Sequence, residues 1–141
     1  METKKKGGKT KFIILAIFLL VLIVTYAFDY IRCTTYKLEV TASDMKPVAS
    51  STEKVEILVR VTRFGKIQKG HKIFALQSNG SLDKNVAYTD DEGCIKLIYT
   101  PYNASSYTPA EKVEITIRDE SNSIIWEVNA YTVLVLDLQN P

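Results

Sequence analysis

An unbroken apolar run near the N-terminus, "FIILAIFLLVLIV" from Phe12 to Val24, constrains this chain more than any other feature. With a single Thr the run extends to Phe28, and these seventeen residues would cover roughly 25 Å as a helix. A bilayer core is about 30 Å thick, and including Tyr30 and Ile31 closes the gap. We therefore predict a transmembrane helix over 12–31.

The flanks of this run predict its orientation and the division of the chain. Five lysines precede it, so the positive-inside bias keeps 1–11 in the cytoplasm as a basic segment. Tyr26, Phe28 and Tyr30 at the other end are typical of the aromatic belt at a bilayer surface. We then expect a linker over 32–36 and one extracytoplasmic domain over 37–141. This chain also has the bilayer itself as an expected partner.

A cleaved signal peptide is the competing interpretation of the same segment. Thr25-Tyr26-Ala27 offers small residues at the spacing that signal peptidase uses. The apolar run is longer than a usual signal core, and bulky aromatic residues crowd the cleavage position. These features favour a retained anchor.

The charge distribution argues against nucleic acid as a partner. Five lysines against one glutamate give the first eleven residues a charge of +4, whereas the whole chain carries +2. The remainder is therefore mildly acidic, and it lacks the basic face that nucleic-acid binding requires.

Residues after the apolar run alternate between apolar and polar in short stretches, which is typical of an all-β sandwich. In "EKVEILVRVTR", Val55, Ile57 and Val59 fall on one face and the charged residues on the other. Other predicted strands are "YKLEVTA", "HKIFALQS", "NVAYT", "CIKLIYT", "EKVEITIR", "SIIWEV" and "YTVLVLDL". No stretch with helical periodicity follows the anchor.

The acidic stretch Asp90-Asp91-Glu92-Gly93 lies between two of these strands, where it predicts the turn of a β-hairpin. A calcium loop would need further oxygen ligands at close spacing, but Cys94 and Ile95 follow. We therefore expect neither a metal site nor general acid-base chemistry at this turn.

The same residues resemble the bacterial Ig-like domains of invasin, intimin and related surface proteins, over about 37–138. The matching marks are "VTAS", the long strand "KVEILVRVTR", the glycine in "KGHKIFAL", and "YTDDEGCIKLIY" at the family's Thr-Asp-x-x-Gly turn. The resemblance implies an Ig-like antiparallel β-sandwich of seven to eight strands. It also implies a role in presentation or adhesion rather than catalysis.

Few residues could serve catalysis or hold a cofactor. His71 is the only histidine, and we expect it to be solvated at the start of a strand, so no catalytic triad is predicted. Cys33 and Cys94 match no zinc spacing, and their pairing in a disulfide is left open. We expect no enzyme activity, no catalytic residue, no metal and no cofactor.

Two segments are candidate protein-binding surfaces. The long connection from Thr100 to Ala110 is rich in Tyr, Ser, Asn and Pro, which suits a recognition loop at the end of the domain far from the membrane. Its candidate contact residues are Tyr99, Tyr102, Asn103 and Tyr107.

The last predicted strand, "YTVLVLDL", is apolar on both faces, so one row is either covered within the chain or open to a partner. One row is Tyr131, Val133 and Val135. The other, which we take as the candidate contact row, is Leu134, Leu136 and Leu138. Such a strand at a sheet edge could also add to a second sheet.

Together these features predict a membrane-anchored Ig-like module that binds a protein partner, associates with itself or assembles a complex at the cell surface. A rival function is a structural subunit of a surface filament or secretion machine, packed through its N-terminal helix. A third is a secreted or periplasmic Ig-like domain released by signal cleavage.

Overall fold

The computed structural model describes residues 7–122 and 126–141, which form one helix followed by nine strands. The helix is α1 (Gly7–Thr34). The strands are β1 (Tyr36–Ala42), β2 (Val55–Arg63), β3 (Lys66–Ile67), β4 (Lys72–Gln77), β5 (Ser81–Leu82), β6 (Val86–Tyr88), β7 (Cys94–Thr100), β8 (Lys112–Asp119) and β9 (Ala130–Asp137).

The strands form two antiparallel sheets, which confirms the predicted Ig-like sandwich. Sheet I has the order β1-β2-β7-β5, with β3 paired to the end of β2, and sheet II has the order β6-β4-β8-β9. The count exceeds the expected seven to eight because β3 and β5 are only two residues long. The strand expected over "SIIWEV" falls partly on 123–125, outside the described residues, and 126–129 contain no strand.

The core is built from the inward rows of both sheets, as the period of two predicts. In sheet I these rows alternate strictly with exposed residues along β2. Each fully buried Val, Ile or Leu contributes about 1.5–3 kcal/mol relative to an exposed position. The largest fully buried side chains include Ile57, Val59 and Leu97 from sheet I and Ile73, Ile115, Ile117 and Leu136 from sheet II.

The acidic turn is present, but it does not close a hairpin. Strand β6 pairs with β4 in sheet II, whereas β7 pairs with β2 in sheet I. Gly93 has φ +69°, as the turn requires, and the Asp90 N–H donates to the Cys94 carbonyl at 2.9 Å. The chain therefore changes sheets at this turn, and the hairpin prediction was wrong.

Helix α1 continues directly into the sandwich. The residues 32–36 expected as a linker are helical up to Thr34 and extended from Tyr36, so Thr35 alone joins the two elements. We call the end of the sandwich at Tyr36 the helix end and the opposite end the distal end.

Trp126, which precedes β9, packs back onto α1 at the helix end. The Trp126 backbone N–H donates to Asp29 Oδ2 at 3.0 Å, and the Trp126 indole N–H donates to Thr25 Oγ1 at 3.3 Å. The indole also meets the Tyr26 ring edge-on at 6.0 Å. Asp29 and Cys33 are buried as a result, so the helix and the sandwich are held together by side chains as well as by the chain.

Candidate interaction surface

Strand β9 and the residue after it separate the two apolar rows that the sequence left ambiguous. Leu134, Leu136 and Leu138 are at most 7% exposed and belong to the core. The prediction that they contact a partner was therefore wrong, since no partner reaches them in the folded sandwich. The row at the surface consists of Tyr131, Val133 and Val135.

Further exposed apolar side chains lie on the outer face of sheet II beyond β8, whose outward residues are polar. Val133 lies opposite Thr116, and Thr116 lies opposite Leu76 on β4. One row further on, Arg118 lies between Tyr131 and Phe74, with its guanidinium carbon 5.0 Å from the Phe74 ring centroid. We call the resulting surface the sheet II patch, formed by Phe74, Leu76, Val86, Tyr88, Tyr131, Val133 and Val135.

The outer face of sheet I exposes fewer apolar side chains. Its side chains include the ion pairs Lys37–Glu39 at 2.8 Å and Lys96–Glu56 at 2.7 Å. Leu58 stands among these charges and is 43% exposed. Sheet II also carries ion pairs, Lys72–Glu120 at 3.0 Å and Arg118–Glu120 at 3.6 Å, so the two faces differ in how many apolar side chains they expose. A face with several exposed apolar side chains is a candidate contact surface, whereas single ones are ordinary.

Sequence reasoning missed the β4 part of the sheet II patch. The stretch "HKIFALQS" has apolar residues on both faces of the strand. Ile73 and Ala75 are buried, and Leu76 is 55% exposed. This is the same two-faced signal that drew attention to β9. Applied to every strand, it would have indicated β4 as well.

Tyr99 is a core residue rather than a recognition residue, so this candidate was wrong. Its side chain is fully buried, and its hydroxyl has no hydrogen-bond partner among the described residues. Burial, and to a lesser extent the nearby Tyr102, raises the pKa of Tyr99 to about 12. Gly80 covers the ring, since a Cβ at Gly80 would lie 2.5 Å from the Tyr99 hydroxyl oxygen.

The connection from Thr100 to Ala110 lies at the distal end, as expected, but two of its candidate residues hold the loop together. The Tyr102 hydroxyl donates to the Pro109 carbonyl at 2.8 Å and accepts from the Glu111 N–H at 3.0 Å. Asn103 is exposed, and its Oδ1 accepts from the Ser51 N–H at 2.7 Å. Tyr107 is 96% exposed and is the candidate of this loop that offers a full ring to solvent.

The carboxylates of the acidic turn are used within the turn. Asp90 Oδ1 accepts from the backbone N–H groups of Glu92 and Cys94, both at 2.9 Å. Asp91 pairs with Lys69. Among the described residues, no group of three or more His, Cys, Asp or Glu side chains is arranged to hold a metal ion.

His71 is not solvated, contrary to expectation. Its Nδ1 lies 2.6 Å from Asp119 Oδ2, and the two side chains are 12% and 1% exposed. The ring also packs against Tyr36, with centroids 5.1 Å apart. His71 therefore joins β4 to the end of β8 beside the start of β1, which is a structural role.

The two cysteines are unpaired and buried. Cys33 lies on α1 against the sandwich, whereas Cys94 begins β7 and its sulfur accepts from Arg60 Nε at 3.4 Å. Neither lies in a Cys-His arrangement that would make a nucleophile. What the described geometry offers chemically is surface for binding.

No protein-family model matches the sequence, and no curated protein matches it. Solved structures do match. A 282-residue C-terminal fragment of intimin, crystallised with the intimin-binding domain of the translocated intimin receptor, aligns with a TM-score of 0.57 at 18% identity. The alignment covers 71% of this chain and 32% of that fragment. This sandwich has the fold of the intimin Ig-like domains.

A second intimin structure agrees in outline. The D00-D0 fragment of intimin aligns with a TM-score of 0.53 at 14% identity, covering 70% of this chain and 45% of that one. A conjugate transposon protein from Bacteroides vulgatus aligns with a TM-score of 0.45 at 17% identity, covering 71% and 83%. The chain thus spans less than half of either intimin fragment, and identities this low show the fold.

Proposed function

We propose that this chain is a single-pass membrane protein with a cytoplasmic N-terminus, 1–11, and an extracytoplasmic Ig-like sandwich that binds a protein partner without catalysis. Helix α1 is long and apolar enough to cross a bilayer. Most large side chains between Phe12 and Val24 are at least half exposed along the helix. The sandwich leaves them uncovered, so a bilayer is the environment that suits them.

The packing of 126–129 on α1 supports a span that ends earlier than the expected 12–31. Non-helical backbone is not exposed to lipid within the hydrocarbon, because its polar groups would lack partners. Trp126 lies beside Thr25, so the outer hydrocarbon boundary belongs near Tyr26. The helix from Phe12 to Tyr26 is about 22 Å long, which is shorter than the bilayer core, so we expect Lys9 and Lys11 to extend their side chains toward the cytoplasmic headgroups.

The same contacts support retention of the N-terminal segment. Cleavage after Ala27 would remove both Thr25 and Tyr26, which hold the Trp126 side chain. A released sandwich would also lack the helix as a rigid neighbour. We therefore favour the anchored protein over a secreted or periplasmic domain.

The observation that carries the binding function is the sheet II patch, which places exposed apolar side chains of β4, β6 and β9 on one outer face, on either side of the polar outward row of β8. The outer face of sheet I exposes fewer apolar side chains among its ion pairs. A protein surface is the partner that fits the sheet II patch, since aromatic and aliphatic side chains form the centre of protein interfaces. The intimin fragment named above was crystallised with a protein receptor domain, which supports a binding role for a domain of this fold.

Residues Val133 and Leu58 give a matched test, because each is an outward strand residue that is 43% exposed. A photo-crosslinking amino acid is placed at either position of the full chain in intact membranes. We expect discrete adducts from position 133 and few from position 58. Val133→Lys, made in a chain with the crosslinker at Tyr131, should remove the adduct while leaving the melting temperature within a few degrees, because a solvated charge costs little.

The pattern of adducts also separates the rival functions. A heteromeric adduct from the sheet II patch supports a binding or adhesion module. A ladder of multiples of the chain mass, obtained from crosslinkers on α1 and not from the patch, would support the filament or secretion subunit instead. Adducts from position 58 alone would show that the wrong face was chosen.

A further inference from the structure

A recess at the helix end combines two guanidinium groups with apolar walls. It has a volume of about 380 Å³ and is lined by Phe28, Ile31, Arg32 and Arg63. Phe28 and Ile31 are each more than 60% exposed on α1. The recess therefore opens onto the same surface of the helix that continues into the bilayer.

Both guanidinium groups retain donors for a ligand. Arg63 Nε donates to Thr35 Oγ1 at 3.0 Å and Nη1 donates to the Tyr36 hydroxyl at 3.4 Å, which uses two of its five N–H donors. Within residues 7–122 and 126–141, neither Arg32 nor Arg63 takes part in an ion pair with a carboxylate. Two positive charges thus share this recess, and no carboxylate of the described residues is paired with either of them.

The height of the recess matches the headgroup layer. Arg32 follows Tyr26 by six residues, which is about 9 Å along the helix. Side chains of an α-helix lean toward its N-terminus, so the Arg32 guanidinium reaches back toward the membrane. Headgroups extend roughly 5–7 Å beyond each side of the hydrocarbon, so this cation meets their phosphates.

Phe64 adds an aromatic contact beside the recess. It lies at the turn between β2 and β3, is 79% exposed and has φ +50°, an unusual conformation for a bulky residue. The Arg63 guanidinium carbon lies 5.5 Å from its ring centroid. An exposed ring gains nothing from the core, but at a bilayer surface it is accommodated among the headgroups.

We propose that this recess binds the phosphate of an anionic phospholipid headgroup through Arg32 and Arg63, with Phe28 and Ile31 against the upper acyl chain. The inference rests on the proposed insertion of α1 and adds a lipid site to it. Guanidinium groups bind phosphate through paired hydrogen bonds, and a bilayer supplies phosphate beside an apolar wall. In open water, the apolar side chains of Phe28 and Ile31 would be hydrated and would contribute nothing to binding a phosphate.

The test uses the full chain reconstituted in nanodiscs of phosphatidylcholine with an equal amount of phosphatidylglycerol, followed by native mass spectrometry. We expect phosphatidylglycerol to remain bound in preference to phosphatidylcholine. In the Arg32→Gln/Arg63→Gln chain the ratio of phosphatidylglycerol-bound to lipid-free protein should fall about tenfold, the scale expected when charged hydrogen bonds are lost. The matched control is Arg60→Gln, on the same strand but bonded to Cys94, and it should retain the lipid.

A single-residue variant and two further measurements complete the test of the lipid site. If Arg63→Gln lowers the melting temperature, Arg32→Gln alone carries the test, because the hydrogen bonds to Thr35 Oγ1 and the Tyr36 hydroxyl come from the Arg63 side chain, whereas Arg32 contacts Thr35 only through its backbone carbonyl. Equal retention of both lipids, or loss of lipid in the Arg60→Gln control, would overturn the proposal. Displacement of phosphatidylglycerol by inorganic phosphate would instead identify a site for free anions.

Resistance to alkaline carbonate extraction reports insertion separately, so failure of the anchor is distinguished from failure of the lipid site.

Discussion

At the scale of single residues, Tyr99 illustrates how a side chain's position in a strand overrides the composition of the loop beside it. The loop after β7 has the composition of a binding loop, and Tyr99 seemed part of it. Within "CIKLIYT", however, Tyr99 lies on the same face of the strand as Ile95 and Leu97, and all three are buried. This alternation would have predicted the burial of Tyr99, which we instead assigned to the binding loop. The lack of a partner for its hydroxyl was not predictable, because it depends on Gly80 from a distant connection.

Tyr99→Phe should stabilise the sandwich, because it removes a buried hydroxyl that has no hydrogen-bond partner within the part of the chain that the structure describes. We expect a gain of about 1 kcal/mol, or a rise of roughly 4 °C in melting temperature. Tyr102→Phe is the matched control, and it should lower the melting temperature by a similar amount since that hydroxyl bridges Pro109 and Glu111. A destabilised Tyr99→Phe protein would mean that the hydroxyl has a partner.

The pH dependence of the same variant follows from the direction of the pKa shift. Because the folded state raises the pKa of Tyr99 to about 12 from an ordinary 10.0, it favours the neutral phenol. The stability from this preference is complete below pH 10 and is lost as pH rises from 10 to 12. Alkaline unfolding should therefore be shallower in Tyr99→Phe than in the wild type, and parallel curves would contradict the assignment.

At the scale of strands, alternation predicted which residues face inward, but it could not assign strands to sheets. The burial of β2 and β8 follows the sequence pattern closely. Strand β6 has only three residues, and its ladder with β4 consists of three pairs, too short for its sequence pattern to specify the partner strand. The sequence of the neighbouring acidic turn is typical of a hairpin, because a tight turn makes the same local hydrogen bonds whether or not its flanking strands pair. Sequence alone therefore placed the turn correctly and the partner strand incorrectly.

The two aspartates of this turn should respond differently to truncation. Asp90→Ala removes an acceptor from two backbone N–H groups, and we expect a loss of about 1–2 kcal/mol in the free energy of unfolding. Asp91→Ala removes only an exposed ion pair with Lys69 and should leave that free energy nearly unchanged. Chemical denaturation measures both. Equal losses, or a rise in stability with added calcium that Asp91→Ala abolishes, would show that the turn binds metal after all.

At the scale of the whole molecule, the sequence indicated an anchor and a domain but not their mutual packing. Aromatic residues at the end of the apolar run were interpreted as a belt, and Trp126 lies a hundred residues later with no local signal linking it to α1. Asp29 gave a clue, since a carboxylate near an apolar helix must find partners. Its hydrogen bond with the Trp126 backbone is one of them. Long-range contacts of this kind depend on the folded sandwich, so no pattern within either segment predicts them.

The membrane boundary near Tyr26 is testable because Trp126 is the only tryptophan of the chain. In proteoliposomes, its fluorescence should be quenched strongly by lipids spin-labelled near the headgroup and weakly by lipids labelled near the acyl-chain end, since the indole lies beside Thr25 at the hydrocarbon surface. A Trp126→Phe chain that also carries Phe18→Trp supplies the deep reference, because position 18 lies near the middle of the segment from Phe12 to Tyr26. That chain should show the reverse order of quenching. If Trp126 is quenched most by the deep label, non-helical backbone lies in the hydrocarbon and the boundary is wrong. If neither label quenches it while the deep reference still responds, the sandwich stands away from the membrane and the packing on α1 does not persist in the bilayer.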